Sequence, residues 1–290
     1  MKKWNRAPIL LGLTLFLALS PLPATAASPL IGTAELARKF AAAKPALIDA
    51  ESKDLYERVH LPGAVNLFYL DLEDAEENAK SGLPIFAQLA ASKFGDLGIS
   101  ADTEVVVYDR GDGRAASAVW YILRYLGHDK VQILDGGLRK WLKEGRPLTQ
   151  ETPKVAKAIY KPKPRPDWAL KTADLARSQA LVVDARSLGE YSGKDAGGAR
   201  QGGHIPGAKS FVWERVAAPL ATFPDAKTMR MEFKRAGITP EREIVLYCNG
   251  GLGRSTYLFA ALTALGYEKV RVYPGSWLEW AADPARPIER

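Results

Sequence analysis

The sequence predicts an α/β protein made of two tandem units, each a parallel sheet with helices on both faces. Three observations carry this. Short apolar runs alternate with helical patterns, an order that favours a parallel sheet. The run Ile244-Val245-Leu246-Tyr247 is apolar at nearly every position, as a strand covered on both faces must be. The landmarks of the first half also recur in the second, and an internal repeat decides the domain count.

Residues 1–27 read as an export leader. Lys2, Lys3 and Arg6 give a basic start, and Ile9 to Leu19 is an apolar stretch of the length such leaders use. Ala24-Thr25-Ala26 fits the small-residue cleavage pattern, with cleavage after Ala26. The apolar run is short for a bilayer span of roughly 20 residues, and Pro21 and Pro23 stop it from continuing as a helix. The expectation is a periplasmic or secreted protein with no stable membrane association once the leader is removed.

Residues 28–146 form the first unit. It offers Ala46-Leu47-Ile48-Asp49-Ala50, then His60-Leu61-Pro62-Gly63-Ala64, then Glu104-Val105-Val106-Val107-Tyr108-Asp109. A helix ends near Leu126-Gly127, and Gly136-Gly137-Leu138-Arg139-Lys140-Trp141 closes the unit. Residues 147–167 contain Pro147, Pro153, Pro162, Pro164 and Pro166 among lysines, which reads as an extended, semi-rigid linker. Residues 168–290 form the second unit. Its landmarks are Leu181-Val182-Val183-Asp184-Ala185-Arg186, His204-Ile205-Pro206-Gly207-Ala208, Glu243-Ile244-Val245-Leu246-Tyr247-Cys248, Leu265-Gly266, and Pro274-Gly275-Ser276-Trp277-Leu278-Glu279-Trp280. Asp109 to Gly127 spans 18 positions, and so does Cys248 to Gly266.

The formal charge is +7, of which the three leader cations account for all but +4. The cations are dispersed, with no long Lys/Arg run and no interleaved aromatic stripe, which argues against nucleic-acid binding. The modest basicity suits small anionic substrates. Three histidines and one cysteine are too few for a zinc set, and no cofactor is called for. His60 and His204 occupy matching turns in both units, so their predicted role is structural.

Cys248 is the sole cysteine and cannot form an intramolecular disulfide. It sits where a strand meets the turn Asn249-Gly250-Gly251-Leu252-Gly253, which opens a helix at Arg254-Ser255. Backbone N–H groups converge at such a turn and the helix dipole favours negative charge. A thiolate there is stabilised and reactive. The glycines are costly unless the backbone needs positive φ or close approach to a ligand.

These landmarks, in order and duplicated, resemble the tandem-domain rhodanese family, the thiosulfate/3-mercaptopyruvate sulfurtransferases, over nearly the whole mature chain. The resemblance implies a rhodanese-like fold for each unit and a catalytic cysteine in the second unit alone. Asp109 at the matching position implies an inert first unit that packs against the second and walls off its site. The implied reaction is a two-step transfer of a sulfane sulfur from thiosulfate or a related donor, through a Cys248 persulfide, to cyanide or a thiol. An unidentified protein could also serve as the acceptor. The N–H groups of Asn249 to Arg254 are expected to cradle the thiolate and persulfide. Arg254 is expected to hold the anionic end of the donor, and the resemblance gives Arg186 a substrate-binding role. Some mercaptopyruvate enzymes carry a further arginine where this chain has Glu190, and the loop lacks their Cys-Gly-Ser-Gly-Val-Thr form. Both departures disfavour mercaptopyruvate as the main donor.

Two other readings compete. Cys248 and Arg254 spell the Cys-x5-Arg pattern of cysteine phosphatases and arsenate reductases. The equal repeat intervals argue that Arg254 does not come from an insertion, and no general acid near the loop can be named. A tandem protein of this kind could also be a non-enzymatic persulfide carrier or binding module; the intact thiol argues against a dead protein.

Overall fold

The computed structural model describes Met1, residues 28–42 and residues 44–290. The leader reading therefore falls, Met1 aside, outside the described residues. The first unit runs β1 (Leu30–Ile31), α1 (Thr33–Ala42), β2 (Ala46–Asp49), α2 (Lys53–Arg58), β3 (Ala64–Asn66), α3 (Ala75–Ser81), α4 (Ala87–Asp96), β4 (Val105–Tyr108), α5 (Arg114–Tyr125), β5 (Val131–Leu134) and α6 (Gly137–Lys143). The second runs α7 (Thr172–Leu175), β6 (Leu181–Asp184), α8 (Leu188–Tyr191), β7 (Lys209–Ser210), α9 (Ala226–Arg235), β8 (Ile244–Tyr247), α10 (Arg254–Ala264), β9 (Val270–Val272) and α11 (Ser276–Ala282).

Both sheets are parallel throughout. Their orders are β1-β5-β4-β2-β3 and β7-β6-β8-β9. The registers repeat too: Asp49 pairs with Tyr108 as Asp184 pairs with Tyr247. β4 and β8 are buried at every residue, because helices cover both faces. In the first unit, Leu36, Tyr56, Leu138 and Trp141 pack on one face. In the second, Leu175, Trp277 and Trp280 do so. The opposite faces of the two sheets share one continuous apolar core. There α5 packs against α10, with the Phe259 ring edge-on to Tyr121 at 5.1 Å and tilted to Trp120 at 6.3 Å.

The histidine turns are structural in both units. Nδ1 of His60 donates to the Tyr56 carbonyl at 2.8 Å, and Nδ1 of His204 donates to that of Tyr191 at 2.8 Å. Each ring stacks on the same tyrosine, at 3.8 and 3.7 Å. The proline-rich segment 147–167 is strapped to the first unit. Its N–H groups at Ala158, Lys163 and Arg165 bond the carbonyls of Gly95, Leu126 and Tyr125, and Tyr160 is buried beside Phe94.

The units differ in one large insertion. Tyr56 and His60 are four positions apart, whereas Tyr191 and His204 are thirteen apart. The added loop carries Gly193, Gly197, Gly198, Gly202 and Gly203. It lies against the Cys248 turn: Asn249 Nδ2 donates to the Gly197 carbonyl at 2.7 Å, and Trp277 Nε1 to that of Gln201 at 3.0 Å.

Candidate active site

Cys248 follows β8 at the carboxyl edge of the sheet, where open α/β sheets bind ligands. Its side chain is 1% exposed. The thiol donates to the Leu252 carbonyl at 3.4 Å. The Ser255 hydroxyl lies 3.4 Å from Sγ and 2.8 Å from the Gly251 carbonyl, so it can turn from one to the other when the thiol ionises. Among the described residues no loop N–H bonds the Sγ of this protonated thiol. The N–H groups of Asn249, Gly250, Gly251 and Leu252 instead have no acceptor within the described chain. They remain available to an incoming anion or to the outer sulfur of a persulfide.

Two positions shape the turn. Gly251 has φ of +94°, and a Cβ there would lie 2.0 Å from the Pro274 carbonyl oxygen, so only glycine fits. Ser276 has φ of +50°, an uncommon conformation for a side-chain-bearing residue. Its hydroxyl accepts the Cys248 N–H at 3.1 Å and donates to the Tyr273 carbonyl at 2.9 Å. Gly137 takes the same place in the first unit, with φ of +53°.

The first unit shows what the turn can bind. Asp109 occupies the cysteine position. One of its oxygens accepts the N–H of Gly111 at 2.8 Å and of Gly113 at 3.2 Å, and the other accepts that of Ala116 at 3.1 Å. Complete burial and the charge of Asp112 push its carboxyl up to about 6, against the pull of those three N–H groups. The second turn is also one residue longer. α5 begins at Arg114, five positions after Asp109, and α10 at Arg254, six after Cys248. The helices end in step, so the extra loop residue comes from the first turn of α10.

Both arginines already hold a carboxylate partner. Arg186 is fully buried. It forks onto Asp184, with Nη2–Oδ2 at 2.6 Å, and donates to the Gly203 carbonyl at 2.7 Å. Its guanidinium lies over the Trp277 ring at 4.6 Å. Strand alternation explains the difference from expectation: Val183 and Ala185 share the core on the Cys248 side, while Asp184 and Arg186 fall on the other. Of its three guanidinium nitrogens only Nη1 has no partner among the described residues. Arg254 does sit beside the thiol, and a Cys248 thiolate would favour its charged form. Its fork, however, is engaged by Glu190, with Nη1–Oε2 at 2.6 Å and Nη2–Oε1 at 2.9 Å.

The first unit supplies part of the wall. A Cβ on Gly253 would lie 3.7 Å from the Tyr69 ring, and one on Gly250 would lie 3.1 Å from Glu73 Oε1. Burial raises the Glu73 carboxyl above its ordinary value. Glu73 and Asn78 face Leu252 and Leu278 across a cavity of about 350 Å³ between the units. The sequence reading missed Tyr69, Glu73, Ser255 and Ser276. Ser255 and Ser276 lie within motifs already singled out, and their hydroxyls were the available signal. Nothing local marks Tyr69 or Glu73. No group of three or more His, Cys, Asp or Glu suited to a metal occurs among the described residues.

Fold and site together define a two-unit α/β protein whose second unit holds a buried thiol beside a turn of N–H groups without acceptors among the described residues. Comparison with known proteins narrows that class. The Rhodanese-like domain family matches residues 33–144 and 166–283, and the chain belongs to the rhodanese family. It is 36% identical over 270 residues to a thiosulfate sulfurtransferase of Azotobacter vinelandii, covering 89% of this chain and 96% of that one. It is 34% identical over 253 residues to the sulfur carrier protein TtuD of Thermus thermophilus, covering 81% and 87%. Among solved structures, SseA of Escherichia coli, described as a 3-mercaptopyruvate sulfotransferase, superposes with a TM-score of 0.76 at 25% identity, covering 86% of this chain and 99% of that one.

Proposed function

We propose that this chain is a sulfurtransferase that moves a sulfane sulfur from thiosulfate or a related donor, through a persulfide on Cys248, to cyanide or a thiol. The observation that carries this reading is the paired turns. The one that binds a carboxylate with three N–H groups in the first unit is left open around a thiol in the second.

The Cys248 thiolate attacks the outer sulfur of the donor. A sulfur–sulfur bond forms, the donor's own sulfur–sulfur bond breaks, and sulfite leaves with the electron pair. The acceptor then attacks the outer sulfur of the persulfide and Cys248 departs as thiolate. This is covalent catalysis in two displacements. The open N–H groups stabilise negative charge on the outer sulfur, and the Ser255 hydroxyl serves the inner one. Tyr69 and Glu73 restrict access from the side of the first unit.

Thiocyanate formation from thiosulfate and cyanide tests this, with parallel initial-rate plots when both substrates are varied. Intersecting plots, or turnover retained in Cys248→Ser, overturn it. The name of the Thermus relative favours a carrier as the second reading; its mark would be a persulfide that loads but is not released to cyanide. We also read the mature protein as exported, on the pattern of residues 2–26. A secreted product beginning at Ala27 supports that, and a retained leader overturns it.

A further inference from the structure

We propose that the Tyr69 hydroxyl, from the first unit, donates the hydrogen bond that holds the sulfonate end of thiosulfate at the Cys248 turn. This rests on the sulfur-transfer reading above and adds a residue that orients the donor. The open N–H groups of Asn249 to Leu252 suit the sulfur that is transferred. The oxygens at the other end of thiosulfate need donors of their own, beyond the ring of the turn. Arg186 and Arg254 each already hold a carboxylate. Local structure fixes where the phenol goes. Tyr69 opens a 3-10 turn, Tyr69–Leu72, in which Leu72 is fully buried. Its N–H is tied to the Ala50 carbonyl at 3.1 Å, its ring stands edge-on to Phe68 at 5.3 Å, and the side chain packs against the shared core. A Cβ on Gly253 would lie 3.7 Å from Tyr69 Cε2, the ring carbon beside the one that carries the hydroxyl. The phenol oxygen has no hydrogen-bond partner among the described residues, and the charges around it are those of Arg114, Glu73, Cys248 and Glu51. Burial raises the phenol above its ordinary value against the pull of Arg114, so it stays a donor at neutral pH.

The two ends of the turn face different groups of the first unit. Gly250 faces the Glu73 carboxyl, while Gly253 faces the phenol. An anionic sulfonate therefore belongs at the Gly253 end. There Tyr69 and Arg114 line a cavity of about 280 Å³. Nε and Nη2 of Arg114 are on Asp112, at 3.0 and 2.9 Å, while Nη1 has no partner among the described residues. Glu51 also lines this cavity, and its carboxylate accepts the Arg110 N–H at 3.0 Å. The reciprocal contact lacks a hydroxyl. Trp213, the counterpart of Tyr69, meets Arg114 with the face of an indole ring. A phenylalanine would fill the place of Tyr69 equally well, so the hydroxyl is what the reactive side adds.

The test is Tyr69→Phe, which keeps the ring and removes the hydroxyl. No proton passes through Tyr69: sulfite leaves with the electron pair of the sulfur–sulfur bond, and the hydrogen bond only holds its oxygens. In a two-displacement mechanism, kcat/KM for thiosulfate reports the loading of Cys248, and kcat/KM for cyanide reports its unloading. Y69F should lower the first at least about tenfold, the worth of a hydrogen bond to a charged oxygen. It should leave the second within about twofold. An unchanged value for thiosulfate overturns the proposal. So does an equal fall in both values, which is what a disturbed contact between the units would give. The mass gained by Cys248 on exposure to thiosulfate separates this from the function. Wild type that gains no sulfur overturns the sulfur-transfer reading itself. Wild type that loads, with Y69F loading at the same rate, overturns only the role of Tyr69.

Discussion

Cys248 and Asp109 stand at the same place in two copies of one unit, and the copies use the same turn in opposite ways. In the first, a side chain of the turn fills its own ring of N–H groups. In the second, the thiol points to a carbonyl and the N–H groups are open. The turn is therefore an anion receptor by construction, and reactivity depends on whether the chain supplies the anion itself. Ser276 extends the contrast. The first unit places glycine at that left-handed position, whereas the second tolerates a strained serine whose hydroxyl fixes the cysteine N–H.

Three pairs of variants and one single variant put this contrast at risk. The largest effect belongs to the nucleophiles. Cys248→Ser should lower thiocyanate formation by about a thousandfold or more, while Asp109→Ser should leave it within about twofold. A large loss in the second variant would mean that the first unit takes part in chemistry. Next come the residues two positions after the β2 and β6 aspartates. Arg186→Ala leaves a buried Asp184 charge uncompensated and should cost about 3–5 kcal/mol in urea unfolding. Its counterpart Glu51→Ala, half-buried and accepting one N–H at 3.0 Å, should cost about 1 kcal/mol or less. A KM change without a stability loss in Arg186→Ala would return that arginine to the substrate site.

The third effect concerns pH. The Asp109 carboxyl is raised in the folded state from an ordinary 3.8 to about 6. Its contribution is fully present below about pH 3.8 and is lost as pH rises through about 6. At neutral pH the loss should be about 2–3 kcal/mol. Asp109→Asn should remove this dependence, so the stability difference between it and wild type should move in the variant's favour as pH rises from 4 to 7. A difference independent of pH would show that Asp109 stays near its ordinary value. The smallest effect is at Ser276. Both variants orphan the Cys248 N–H, but Ser276→Ala keeps the left-handed strain and Ser276→Gly relieves it. The alanine variant should be less stable than the glycine variant by about 1 kcal/mol, and equal stabilities would argue that no strain is stored there.

The repeat, the buried strands and the place of the thiol were legible in the sequence because each is local: an apolar run, a glycine-rich turn, a helix start. The histidine turns were legible because they occur in both copies. The arginines were not. Arg254 meets Glu190 across 64 positions of sequence, and no spacing rule links them. Arg186 was within reach, since Asp184 lies two residues before it on the same face, where a buried fork is the cheapest partner. Glu73 and Tyr69 come from the other copy, and their approach depends on how the two sheets are docked.

That docking has a symmetry of its own. α5 and α10 are equivalent elements and they pack on each other. Tyr69 and Trp213 are equivalent too, as their N–H groups bond the carbonyls of Ala50 and Ala185. Tyr69 reaches across to the turn of the second unit, and Trp213 reaches back beneath Arg114 of the first at 5.1 Å. Like meets like in both directions, the signature of a two-fold homodimer. The two units meet through equivalent elements, as the halves of such a dimer do. In a true homodimer every substitution appears twice. Here a change can be made on one side alone, which is what lets a carboxylate and a thiol occupy the same address.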